Sequence, residues 1–70
     1  MNILLTGGTG FIGKNFINLL LKSNHSVLVL SRTKSKKKKN INFLKTSLNL
    51  SNLSFKKIKK FNPTVLINLA

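Results

Sequence analysis

The residues with the clearest chemical use are the glycines of the stretch TGGTGFIG, residues 6–13. The chain has four glycines, and all of them lie here, at positions 7, 8, 10 and 13. Backbone without side chains lets a phosphate approach closely, and the amide groups at the start of a helix point at such an anion. The stretch is therefore a candidate phosphate site, with Gly7 at the turn, Gly10 at the close approach and Gly13 where the following helix packs tightly.

The other residue types exclude most catalytic chemistry. The 70 residues include no Asp, Glu, Tyr or Cys, and one His. An acidic general base, a carboxylate or thiolate metal ligand and a disulfide are thereby excluded from these residues. His25 has no partner at ligand spacing, and we expect it to be a turn residue. We predict no catalytic residue and no metal ligand in this chain.

The charge of the chain raises the question of a polyanionic partner. Twelve lysines and one arginine give a net charge of +13. Such a balance is typical of proteins that bind nucleic acid or anionic membranes. Lys, Asn, Ile, Leu and Phe nevertheless fill most of the chain, as expected for a gene from an AT-rich genome. The run Lys36–Lys39 lacks interleaved aromatic residues, so we expect a solvated loop and no specific nucleic acid partner.

Length and hydropathy limit the class of protein further. Seventy residues form at most one small domain with a modest core. No apolar run approaches the roughly 18 residues that span a bilayer, so no membrane partner is expected. The start of the chain lacks the pattern of a secretion signal, and the absence of cysteine suits a reducing compartment. The expected location is the cytoplasm.

The hydropathy pattern predicts strands that alternate with helices. The predicted order is a strand over 1–6, a helix over 11–23, strands over 27–30 and 41–44, a helix from Ser51 or Ser54 to about Phe61, and a strand over 65–67. The continuous apolar runs 27–30 and 65–67 predict strands buried on both faces. Ile12, Phe16, Leu19 and Leu20 share the predicted core face of the first helix, and Phe11, Ile17 and Leu21 widen it. Such alternation is typical of a parallel α/β sheet with right-handed crossovers.

The position of the glycines within this pattern favours a dinucleotide as the phosphate ligand. They follow a predicted strand, open a predicted helix and are succeeded by a second strand, which is the context that a dinucleotide-binding fingerprint requires. A purely structural glycine turn is the alternative. The spacing G-x-x-G-x-x-G over residues 7–13, together with this context, favours the binding role.

Two segments carry a family resemblance. ILLTGGTGFIG, residues 3–13, and PTVLINLA, residues 63–70, resemble the first and fourth strands of the extended short-chain dehydrogenase/reductase family. This family comprises NAD(P)-dependent sugar-nucleotide epimerases and dehydratases, and TGxxGxxG is its characteristic pattern. The resemblance implies a partial Rossmann fold, a parallel sheet of strand order 3-2-1-4. Complete members are several times longer, so it also implies that residues 1–70 are the N-terminal part of the cofactor domain, without its remainder or the substrate domain.

The resemblance also implies which residues contact the cofactor. The glycines line the pyrophosphate, and the next two residues open the helix above it. Asn49-Leu50 corresponds to an Asp-Leu pair whose acid contacts adenine, a contact that an amide can replace. The last two residues lie against the cofactor at the end of the fourth strand. The residues so implied are Gly7, Gly10, Phe11, Ile12, Gly13, Asn49, Leu50, Leu69 and Ala70.

The end of the second strand bears on the choice of cofactor. NAD-specific members carry an acid there to hold the ribose hydroxyls, and this chain has none. Ser31 is small, and the guanidinium of Arg32 can bind a 2′-phosphate through charge-assisted hydrogen bonds. We predict NADP as the cofactor, with NAD as the alternative. Arg32 as a solvated loop residue is the structural alternative.

The resemblance implies a nucleotide-sugar substrate for a full-length protein. The family's Tyr-x-x-x-Lys pair is absent, so we expect the 70 residues alone to be inactive. A non-enzymatic NADP-binding sensor or scaffold is a second hypothesis, and the presence of Tyr-x-x-x-Lys further along a longer chain would separate the two. A basic nucleic-acid-binding protein is a third, and its mark would be a steep salt dependence of DNA binding.

Overall fold

A computed structural model describes residues 1–7, 11–32, 36–45 and 52–69. Its elements are β1 (Asn2–Thr6), α1 (Phe11–Leu21), β2 (Ser26–Ser31), β3 (Ile41–Lys45), α2 (Asn52–Phe61) and β4 (Val65–Asn68). The four strands are parallel and lie in the order β3-β2-β1-β4. The predicted fold class, element order and strand order are confirmed. α1 ends two residues earlier than predicted, and α2 begins directly after Ser51, the first of the two residues predicted for its start.

The core lies between α1 and one face of the sheet. Alternate residues of the strands meet there, because β1 pairs Ile3 with Val27 and Leu5 with Val29. These four side chains cluster with Ile41 of β3 and with residues of α1. Leu28, on the opposite face of β2, is buried as well. Three consecutive buried residues, Val27 to Val29, confirm that β2 is covered on both faces.

The buried face of α1 matches the predicted one in part, since Ile17 and Leu20 are buried as predicted. Gly13, Ile17 and Leu20 are its buried residues, at positions i, i+4 and i+7. Ile12 and Leu19 are instead 70% and 69% exposed, so their assignment to the core face was wrong. Around the helix axis, Ile12 and Leu19 lie more than a quarter turn away from Gly13, which is at the middle of the buried face. The predicted face was built from large apolar side chains and therefore did not include Gly13, which is buried against the sheet.

Burial of β4 also departs from the prediction. Val65 and Ile67 are half-buried against the core cluster, whereas Leu66 is 65% exposed. The prediction of a strand buried on both faces was therefore wrong for Leu66. Leu66 is paired with Leu4 at the edge of the sheet, and on this face α2 lies beside β2 and β3, away from that edge.

The Asn40 side chain connects three parts of the chain. Its amide nitrogen donates to the carbonyl oxygens of Leu20 at 2.9 Å and His25 at 2.6 Å, with Ser23 at 3.4 Å. The preceding Lys39 has a φ of 43°, which turns the chain between the paired residues Lys38 and Ile41. Asn40 thereby satisfies backbone carbonyls at the end of α1 and before β2, which fixes the start of β3 beside them.

Candidate functional site

The carboxyl ends of the central strands form the candidate site. In the sheet register, Thr6 at the end of β1 lies between Leu30 of β2 and Asn68 of β4. The chain continues outward from β1 to β2 and β3 on one side and then crosses to β4 on the other. Ligands of open α/β sheets bind at this point of divergence, outside the carboxyl ends of the strands. The site edge, as we call it, therefore holds the residues that follow Thr6, Leu30 and Asn68.

Gly7 makes the turn out of β1 at the site edge. Its φ is 76°, a left-handed conformation in which a Cβ atom would approach the following carbonyl oxygen. Among the described glycines, Gly7 is the one with positive φ. The strand thus ends on a residue whose conformation requires glycine, as the sequence predicts for the turn.

The start of α1 faces the same edge. The helix begins at Phe11, so the amide groups of its first turn lack partners within the helix and carry a partial positive charge. Gly13 is buried, which is consistent with close packing of the first turn on the sheet. Ile12 is exposed beside it. Phe11 and Ile12 open the helix, at the position that the sequence predicts.

Two hydrogen bonds join Thr6 of β1 to the end of β4. The Leu69 amide donates to the Thr6 carbonyl oxygen at 2.9 Å, and the Thr6 hydroxyl donates to Oδ1 of Asn68 at 2.7 Å. Leu69 is half-buried and packs against the core cluster. The prediction missed Asn68, whose signal was a polar residue at the end of an apolar strand.

The β2 side of the site edge carries the predicted cofactor-selecting residue. Ser31 is the last residue of β2 and is buried, and Arg32 follows it with an exposed side chain. Because Thr6 pairs with Leu30, Ser31 and Arg32 lie alongside the turn at Gly7. A guanidinium is thus placed at the same edge as the glycine turn.

Four predicted site residues lie outside the described part of the chain. They are Gly10, Asn49, Leu50 and Ala70. The described members of the set, Gly7, Phe11, Ile12, Gly13, Arg32 and Leu69, all lie at or beside the site edge. Their contacts with a cofactor stay predictions.

His25 lies in the turn between α1 and β2, as predicted. Its Nδ1 is 3.1 Å from the amino group of Met1. Over residues 1–7, 11–32, 36–45 and 52–69, no three His, Cys, Asp or Glu side chains come together as metal ligands would. Neither of the two described helices is long and apolar enough to cross a bilayer. The contact with the amino group of Met1, which precedes β1, places His25 at the end of the sheet opposite the site edge.

Known proteins resemble both the sequence and this geometry. The model of the NAD dependent epimerase/dehydratase family matches residues 3–70. UDP-glucose 4-epimerase of Neisseria meningitidis is 62% identical over 29 residues, which cover 41% of this chain and 9% of that protein. The epimerase family protein YfhF of Bacillus subtilis is 50% identical over 32 residues, covering 46% and 11% respectively. The matched stretches thus cover only about a tenth of the length of these curated relatives.

A solved structure extends the likeness over the whole chain. The dTDP-glucose 4,6-dehydratase of Bacillus anthracis, crystallised in complex with NAD, superposes with a TM-score of 0.80 and 29% identity. The match covers 100% of this chain and 26% of the dehydratase chain. The four-stranded sheet and its two helices therefore match part of an NAD-binding enzyme.

Proposed function

Since the chain belongs to the NAD dependent epimerase/dehydratase family, we propose that it is the dinucleotide-binding segment of a nucleotide-sugar epimerase, dehydratase or reductase that acts in the cytoplasm. The observation that carries this proposal is Gly7 with its φ of 76°, set between the ends of β2 and β4 and before the start of α1. A relative that acts on UDP-glucose and a neighbour that acts on dTDP-glucose support a nucleotide sugar as substrate class.

The residues at the site edge fit a dinucleotide. Gly7 leaves open the space that a Cβ would fill, and the unpaired amides at the start of α1 suit the pyrophosphate. Gly10, Phe11, Ile12 and Gly13 would complete this cradle. When bound, the cofactor supplies hydride chemistry, and the chain's own part is to hold and orient it. Asn49, Leu50, Leu69 and Ala70 are the remaining residues proposed to contact it.

We further propose that NADP is preferred to NAD because of Arg32. Its exposed guanidinium beside the glycine turn can bind a 2′-phosphate, and no carboxylate in the chain opposes that anion. Arg32→Gln should lower NADPH affinity about tenfold and change NADH affinity little, as expected for charge-assisted hydrogen bonds at an exposed site. Titration of the chain with each reduced nucleotide, followed by nucleotide fluorescence, measures both; the chain has no Trp or Tyr to interfere.

Lys22→Gln is the matched control for this titration. Lys22 is exposed and follows α1 at the end of the sheet opposite the site edge. Its substitution therefore removes one positive charge, as Arg32→Gln does, but far from the glycine turn. We expect it to leave the ratio of NADPH to NADH affinity unchanged. An equal fall in NADPH affinity for both variants would show that net charge, and not Arg32, sets the preference. Absence of binding of either nucleotide to the unaltered chain would refute the proposed function itself.

The 70 residues by themselves should bind cofactor weakly and catalyse nothing. They contain no Tyr, so the pair Tyr-x-x-x-Lys that the family resemblance assigns to hydride transfer is missing. Incubation of the chain with NAD or NADP and UDP- or dTDP-sugars should give no reduced nucleotide and no epimerised sugar, as followed by absorbance and by product chromatography. Turnover of any nucleotide sugar would contradict this expectation.

A further inference from the structure

A groove of about 330 Å³ lies between α2 and the β2–β3 side of the sheet. Leu28, Leu44 and Phe61 form its apolar lining. α2 ends at this groove, next to the start of β1, where the Asn2 side chain donates to the Phe61 carbonyl oxygen at 2.7 Å. The groove therefore lies on the face opposite α1, and it extends from Phe61 near the amino ends of the strands to Leu44, which pairs with Leu30. In the described part of the chain, none of the residues proposed to contact the cofactor lines it, so the cofactor site leaves it unexplained.

Cationic side chains border this groove. Lys57 and Lys60 line it from α2, where the spacing i, i+3 puts them on one side of the helix, and both are exposed. Lys56 and Lys59 of the same helix are exposed as well. The chain contains no Asp or Glu, so no side chain of its own can neutralise them. The rim of the groove therefore suits an anionic ligand.

A second group of lysines extends the basic surface. Lys36 to Lys39 are exposed, and Lys38 pairs with Ile41 at the start of β3. The starts of parallel strands and the end of the returning helix lie at the same edge of the sheet, so this run lies toward the Phe61 end of α2. A ligand with several negative charges could therefore contact both groups of lysines.

The lining of the groove narrows the chemistry of the partner. Phe61 is half-buried and offers an aromatic ring beside the two rim lysines, and Asn42 adds an exposed amide that can both donate and accept hydrogen bonds. Sites for single-stranded nucleic acid combine a positively charged groove with aromatic rings on which bases stack. A bilayer would instead be bound through projecting apolar groups, of which Phe55 on α2 is one, so binding to vesicles is the competing outcome of the test. The run Lys36–Lys39 lacks an aromatic residue, whereas Phe61 lines the groove together with Lys57 and Lys60.

We propose that this groove binds single-stranded nucleic acid without sequence specificity. One base lies against Phe61 and the apolar lining, and Lys57 and Lys60 contact the adjoining phosphates. The lysines on either side, in α2 and in the run before β3, contact the neighbouring phosphates of the strand. Because no described residue that is proposed to contact the cofactor lines the groove, the proposal does not depend on cofactor binding.

Fluorescence anisotropy with a labelled oligouridylate and with its duplex of equal length tests the proposal. We expect the single strand to bind more tightly, since stacked bases of a duplex cannot enter the groove, although the duplex has the higher charge density. Lys57→Gln/Lys60→Gln should weaken single-strand binding about tenfold and lower the slope of log K against log salt by about 1.4, or about 0.7 per phosphate contact. Phe61→Leu should weaken it about fivefold and leave the slope unchanged.

Lys14→Gln/Lys22→Gln is the control of matched charge. Both lysines are exposed on or next to α1, on the other face of the sheet. We expect a change of less than about twofold, since no groove contact is lost. Equal losses in the two double variants, or a duplex that binds as tightly as the single strand, would show attraction by net charge alone and overturn the proposal. Phosphatidylserine vesicles that bind through Lys57 and Lys60 while the oligonucleotide does not would assign the groove to a membrane instead.

Discussion

Gly7→Ala is expected to abolish measurable binding of NADH and NADPH and to destabilise the fold by about 1–2 kcal/mol. The stability cost arises because the φ of 76° brings a Cβ atom against the following carbonyl oxygen. The binding loss has a second cause, since Gly7 is proposed to line the pyrophosphate and a Cβ there would narrow the space beside it. We expect affinity to fall by more than roughly tenfold, which corresponds to about 1.4 kcal/mol. Nucleotide fluorescence and urea unfolding followed by circular dichroism measure the two effects.

Gly7→Asn separates the two causes. Asparagine adopts the left-handed conformation more readily than alanine, so this variant should be more stable than Gly7→Ala. It still carries a Cβ, so its cofactor binding should be lost as well. Neither substitution alters the net charge of +13, and a loss therefore cannot be ascribed to weaker attraction of an anion. Unchanged NADH affinity in either variant would refute the placement of the pyrophosphate at this turn.

Leu5→Ala is expected to unfold most of the population or to lower the free energy of unfolding by about 2–5 kcal/mol. Leu5 is completely buried in the central strand and belongs to the cluster beneath α1. A chain of this length has a total stability of roughly 4–10 kcal/mol, so the cavity would remove a large part of it. Urea unfolding followed by far-ultraviolet circular dichroism is the measurement, because the chain lacks Trp and Tyr.

Leu19→Ala is the matched control for this core substitution. The same atoms are removed from a side chain that is 69% exposed on α1, and alanine is the better helix former. Its free energy of unfolding should stay within about 0.5 kcal/mol of the unaltered chain. If Leu19→Ala destabilises as much as Leu5→Ala, then the exposed side of α1 has been placed on the wrong face.

The strands, the helices, their order and the glycine turn could be predicted from the sequence, because each depends on the spacing of residues within one short segment. The apolar runs around Leu5 and Val29 have strand periodicity, and the residues after Gly7 have helix periodicity, whatever they later contact. The requirement for glycine after β1 is equally local, since it concerns one backbone angle. For these features a reading of the sequence was sufficient.

Only the tertiary structure decided which apolar side chains were covered and which polar ones met. Leu19 and Leu66 have the same hydropathy as buried neighbours, and their exposure depends on how α1 and α2 lie on the sheet. The bonds of Asn40 to Leu20 and His25 join residues that are 20 and 15 positions apart, respectively. The groove beside Phe61 likewise requires α2 and β2 together. Burial and contact are properties of two elements at once, so a pattern within one element cannot determine them.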